Sequence, residues 1–137
     1  MLPRALIDSG PLAAFLNRRD ELHEWARDVF ARTAGPYLTT EANIAEVCHL
    51  LERAALKGSL CFLELLNTGL VQTASLADSL SAVHAEISRF RDRRVDFADA
   101  CLLVMAERRP HLPLITVDRA DFQVYFRGHM NRLILPP

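Results

Sequence analysis

A chain of 137 residues, half of them apolar, is long enough for one domain with a substantial core and too short for two, so residues 1–137 read as a single unit. The formal net charge of −1 excludes a global field that would draw nucleic acid or an anionic membrane, and any polyanion has to be held by a local patch. No run approaches the roughly 18 apolar residues of a membrane span, and the opening MLPRALIDSGPLAAFL lacks a long hydrophobic stretch of the secretory kind, so the expectation is a soluble, cytoplasmic protein.

Arg4 to Ile7 reads as a short strand that stops at Asp8, and Ser9-Gly10-Pro11 turns the chain into a helix from Leu12 to Leu16, with Asp8 or Ser9 as its cap. Asp20 to Thr33 has helical periodicity, with Leu22, Trp25, Ala26 and Val29 inward, and Gly35-Pro36 ends it. Tyr37-Leu38 is a brief strand. Thr39 or Thr40 caps a helix running to about Ala55, on which Glu46 stands close to the apolar stripe among Ile44, Val47, Leu50 and Leu51. Gly58-Ser59 separates it from a helix over Leu60–Leu66; Leu70-Val71 is a weak strand, and Ala77 to Arg91 a further helix leading into Arg93 and Arg94.

Phe97 to Ala106 is apolar but for Asp99, which shares a helix face with Asp96 three residues earlier. A carboxylate in such a run has to be paired, hydrogen-bonded or on a cation. Leu114 to Val117 is a β-rich run that stops at Asp118, a short helix follows over Ala120–Tyr125, and Leu133–Leu135 supplies a last strand. Strands separated by helices, with no hairpin signal between them, imply a parallel sheet covered on both faces.

Singly, the acidic residues have structural explanations: Asp8, Asp96 and Asp118 suit helix N-caps, and Glu46 suits a partner arginine. Jointly they imply more. Asp8 and Asp118 end strands, where α/β sheets bind ligands, while Glu46 and Asp99 lie on the inward side of helices starting near that edge. Converging carboxylates repel one another unless a hard, oxygen-loving divalent cation joins them. Cys48, Cys61 and Cys101 are odd in number, lack CxxC spacing and read as small buried thiols in a reducing compartment. The five histidines show no paired zinc spacing, and Trp25 and the phenylalanines read as core or dimer contacts rather than base-stacking platforms.

Ile7-Asp8-Ser9-Gly10-Pro11-Leu12, Thr40 followed by Glu46, Val95-Asp96-Phe97-Ala98-Asp99-Ala100, and Leu114-Ile115-Thr116-Val117-Asp118-Arg119 with Asp121-Phe122 resemble, in order and spacing, the PIN domains, and among them the VapC-type toxins of bacterial toxin–antitoxin pairs. The resemblance implies an α/β/α sandwich around a mostly parallel sheet of four to five strands, and a Mg²⁺-dependent endoribonuclease, with Mn²⁺ as substitute. Its acidic positions fall on Asp8, Glu46, Asp99 and Asp118, with Asp96 as an additional carboxylate near the metal. It also implies a homodimer and inhibition by a VapB-like antitoxin.

Under that reading Asp8, Asp96, Asp99 and Asp118 hold metal, directly or through water, and Glu46 holds a second metal or orients the attacking water. Arg119, Arg93 and Arg94 grip the RNA backbone at the rim, Ser9, Asn43 and Thr116 tune the site by hydrogen bonding, and Asp121 reads as a cap or structural contact. A phosphatase with an aspartyl nucleophile would want a second aspartate where Gly10 stands, and both it and a phospho-acceptor receiver want a downstream lysine, whereas Lys57 is the only lysine of the chain. The remaining alternative is a catalytically silent PIN-like module that binds RNA or a partner.

Overall fold

The computed structural model describes residues 1–54 and 57–137. The strands are β1 (Ala5–Ile7), β2 (Tyr37–Thr40), β3 (Val71–Ala74), β4 (Leu114–Ile115) and β5 (Leu133–Ile134), and they form one sheet in the order β3-β2-β1-β4-β5. Every pairing in it is parallel. The helices described are α1 (Ser9–Leu16), α2 (His23–Arg32), α3 (Glu41–Ala54), α4 (Gly58–Asn67), α5 (Leu80–Arg89), α6 (Phe97–Arg108) and α7 (Arg119–Tyr125), with a 3₁₀ turn at Ala77–Ser79. Sequence places the end of α3 at Ala55, which lies outside the described residues.

The layers follow from strand alternation. Leu6, Leu38 and Leu114 enter one core with Val83 of α5, the buried run of α6, and Phe122 and Tyr125 of α7. Their neighbours Ala5, Ile7, Tyr37 and Ile115 enter the opposite core with Leu12 of α1, Val29 of α2, Val47 and Leu51 of α3, and Phe62 of α4. The result is a three-layer α/β/α sandwich. Helix α6 buries Ala98 and all residues from Ala100 to Ala106, which explains why its sequence is apolar on every side.

From β1 the chain steps to β2 and β3 on one side and then returns to place β4 on the other. The crevice beyond the C-terminal ends of β1 and β4 is therefore the topological switch point of the sheet. Gly10, just past β1, makes the approach of α1 to the β4 segment close: a Cβ added there would lie 2.5 Å from Val117 Cγ2. Gly10→Ala is expected to lower stability by about 1–3 kcal/mol, as overpacking does, despite the better helix propensity of alanine. Urea unfolding checks this, and Val117→Ala in the same chain should recover part of the loss.

Element boundaries shift where local hydrogen bonds compete. Helix α1 begins three residues before Leu12 because Asp8 caps it at Ser9. Helix α2 begins at His23 rather than Asp20, since the Asp20 carboxylate accepts from the Leu22 amide in a turn. Strand β3 covers Val71–Ala74 rather than Leu70-Val71, in register with all four residues of β2. Strand β4 closes at Ile115, two residues before Val117, and the Ala77–Arg91 segment divides into the 3₁₀ turn and α5. The three thiols are not alike: Cys101 is buried and Cys48 half-buried, but Cys61 is exposed, correcting the expectation that all three are covered, because it lies on the outer face of α4. No helix among the described residues is long and apolar enough to cross a membrane.

Candidate active site

Asp8 leaves β1 at the switch point and is buried. One oxygen, Oδ1, accepts from the Ser9 amide at 2.7 Å and from Asn43 Nδ2 at 3.3 Å; the other, Oδ2, accepts from the Thr116 hydroxyl at 2.7 Å. Asn43, in the first turn of α3, also donates to Ser9 Oγ at 2.9 Å, and its own Oδ1 accepts from the Thr40 hydroxyl at 2.6 Å, which fixes the orientation of the amide. Thr116, just past β4, accepts from the Asp118 amide at 3.2 Å while donating to Asp8. The structure thus gathers Ser9, Asn43 and Thr116 around Asp8, and one hydroxyl joins the two strand-end aspartates.

Asp118 caps α7, accepting from the Asp121 amide at 3.1 Å, and Asp96 caps α6, accepting from the Asp99 amide at 2.8 Å. Each cap engages Oδ1 and leaves Oδ2 for other partners. Asp99 is half-buried in the first turn of α6, and Glu46 half-buried on α3. Among the described residues no hydrogen-bond donor reaches the side chain of Asp99.

These carboxylates act on one another. Burial, followed by the charges of Asp96, Asp8, Glu46 and Asp118, pushes Asp99 up to about 8 from its ordinary 3.8. Burial pushes Asp8 up to about 6, against hydrogen bonds from Thr116 and Ser9 that pull it down and with Glu46 and Asp118 adding to the rise. Asp118 is raised by burial as well, with the neighbouring Arg93 acting to lower it. Asp8, Glu46, Asp96, Asp99 and Asp118, drawn from four separate segments, therefore share one region of the molecule. As the side chains stand, no three His, Cys, Asp or Glu among the described residues form an arrangement ready to hold a metal ion. In chemistry the donor set nevertheless fits a hard divalent cation: all its charged atoms are carboxylate oxygens, and three of the carboxylates, Asp8, Asp99 and Asp118, are raised in proton affinity, as carboxylates are when a positive charge is wanting.

The rim arginines are placed less simply. Arg93, between α5 and α6, pairs with Asp121 at 3.0 Å, and Arg119 donates to the Pro136 carbonyl at 2.7 Å, whereas Arg94 is exposed. The Arg93–Asp121 pair connects the segment before Asp96 to the first turn after Asp118. Sequence reading offers no role here for Tyr125. Its ring is buried against Phe90 and Phe122, and its phenol is pushed up to about 12 by burial first and then by the charges of Asp121, Asp99 and Asp118. A tyrosine at the end of a short mixed segment carries no signal of that environment until α7 is packed.

The family model described as the PIN domain matches residues 5–126. Eleven chains of solved structures match, among them the VapC20 toxin of Mycobacterium tuberculosis, described as cleaving the sarcin-ricin loop. That chain superposes with a TM-score of 0.79 at 18% identity, over 88% of this chain and 94% of its own, a likeness of fold. No curated protein matches.

Proposed function

The chain belongs to the PIN domain family, and from that premise we propose that it is a divalent-metal-dependent endoribonuclease of the VapC toxin type, hydrolysing RNA phosphodiester bonds at the acidic ring. The observation that carries this reading is the convergence of Asp8, Glu46, Asp99 and Asp118 from separate segments near the switch point of the sheet, where burial first and then neighbouring carboxylates raise both Asp8 and Asp99. Structural caps alone have no need to lie together.

Asp8 and Asp99 are the principal ligands for Mg²⁺, with Mn²⁺ as a substitute, and Asp96 and Asp118 hold it directly or through water. The bound cation supplies acidification of water and neutralisation of the phosphoryl charge. Ser9, Asn43 and Thr116 keep Asp8 in one rotamer, so that its oxygens are oriented before substrate arrives. Glu46, half-buried on α3 and coupled to both Asp8 and Asp99, orients the attacking water or holds a second cation. Arg94 and Arg119, with Arg93, hold the RNA backbone at the rim, offsetting the repulsion between the carboxylates and a polyanion.

The same cluster of carboxylates suits a cationic tail, and we assign the inhibitory partner as a VapB-like antitoxin acting with the toxin in the cytoplasm. The homodimer is part of the same proposal; apolar side chains are left in water on both outer layers, Leu60 and Leu63 on α4 and Leu80 and Ile87 on α5. The competing reading, a silent module that binds RNA or a partner, is favoured by the absence of a ready three-ligand arrangement among the described residues. Incubation of the purified chain with total RNA separates the two. Cleavage is expected with Mg²⁺ or Mn²⁺ and is expected to stop with EDTA; binding of RNA that stays intact under both metals would establish the silent module instead.

A further inference from the structure

Resting on the ribonuclease reading, we propose that Phe97 is a stacking platform for a nucleobase that flanks the cleaved phosphate. Phe97 opens α6, directly after Asp96 and two residues before Asp99. Its side chain is 50% exposed, on a helix whose other apolar residues are covered. It belongs to neither core cluster and pairs with no other ring among the described residues. Every other large apolar side chain exposed among those residues is aliphatic. Local structure does not call for it either: Asp96 already caps the helix, and phenylalanine is only a middling helix former.

Residues two apart on a helix lie about 200° apart around its axis, so the ring leaves the opposite side of the first turn from the Asp99 carboxylate, and the two are neighbours in sharing the N-terminal turn of α6. That offset suits a nucleotide, whose phosphate lies toward the carboxylates while the neighbouring base lies on the rim. Around the ring in the chain, Arg93, Arg94 and Asp96 are exposed charges. A base presents a flat apolar face joined to a polyanionic backbone, and it matches one ring among such charges better than the continuous apolar surface of a protein partner does. Because every base has a π-face, the platform adds affinity without choosing sequence.

The test uses the full chain, its Phe97→Leu and Phe97→Trp variants, and a pool of random-sequence, single-stranded 12-nucleotide RNAs. With Mg²⁺, Phe97→Leu is expected to raise KM about tenfold, within the range of about 5- to 150-fold that base–aromatic stacking supplies, with kcat little changed. Phe97→Trp is expected to restore KM, and the added indole emission, measured against the Trp25 background, to be quenched as the same RNA binds in an Asp99→Asn background. Wild-type KM and RNA binding in Phe97→Leu would overturn the proposal, including the case where that variant instead alters the sedimentation coefficient, which would make the ring a contact between copies of the chain. Should Phe97→Leu lose thermal stability, Phe97→Trp decides: no quenching on RNA addition overturns the platform. If the wild type neither cuts nor binds the pool, the ribonuclease reading itself falls; if it cuts and Phe97→Leu is unaffected, only the platform does.

Discussion

Asp99→Asn should lower RNA cleavage by about a thousandfold or more while leaving the cation-free chain at least as stable as the wild type at pH 8. The two halves of this expectation have one cause. Among the described residues no donor satisfies Asp99, and burial together with four like charges raises it to about 8, so in the absence of a cation its ionised form is a strain on the fold. An asparagine of the same shape removes that charge and with it the repulsion felt by Asp8, Glu46, Asp96 and Asp118. It also removes the oxygen charge that a divalent cation would need. Cleavage rate and melting temperature measured on one preparation check the pair. A variant that loses both activity and stability would make Asp99 a structural residue, and one that keeps activity would remove it from the site. Glu64→Gln, an exposed change on α4, serves as the control.

Thermal stability in EDTA should fall as pH rises from about 4 to about 8, and Mg²⁺ or Mn²⁺ should restore it most at the alkaline end. The folded chain raises Asp8 to about 6 and Asp99 to about 8, both above the ordinary 3.8 of an unfolded aspartate, so between those values the folded state holds more protons than the unfolded one. Their stabilising effect is complete below the unfolded value and is lost as pH passes first about 6 and then about 8. Each proton contributes a slope of at most about 1.4 kcal/mol per pH unit, and at half-buried Asp99 solvent screening makes it smaller. Cation and proton compete for the same oxygens, so affinity for the metal should rise over the same range. Calorimetric scans at several pH values, with and without divalent cation, test this; stability that is flat or rising from pH 5 to 8 in EDTA would contradict it.

The site was legible where an apolar run stops at a carboxylate. Ile7-Asp8 marks the end of β1 from the chain alone, Asp118 reads as a strand end although β4 closes three residues earlier, and Asp99 stands out because α6 is apolar on every side. The layer structure was legible for the same reason, since β1 is buried on both faces and has no polar residue. What stayed hidden depends on packing between distant elements. Arg93 reads as a free cation until α7 brings Asp121 to it, and nothing in the sequence marks Tyr125 as a phenol within the field of Asp121, Asp99 and Asp118. Cys61 shares the apolar composition of α4 but falls on its open side, a distinction that a short helix without clear periodicity does not display. That three of the candidate ligands also cap helices was foreseen as a rival explanation; in the fold both roles coexist, because a carboxylate has two oxygens.

The hydrogen bond from Thr116 to Asp8 joins residues separated by 108 positions in the chain. A chain still under synthesis holds Asp8, Asn43 and Glu46 long before β4 exists, and until β4 lies beside β1 neither Thr116 nor Asp118 can complete the arrangement. Contacts of such long range form late, after the entropy of closing the intervening loop has been met. The proposed acidic site is therefore assembled only after the β4 segment has been made and has paired with β1.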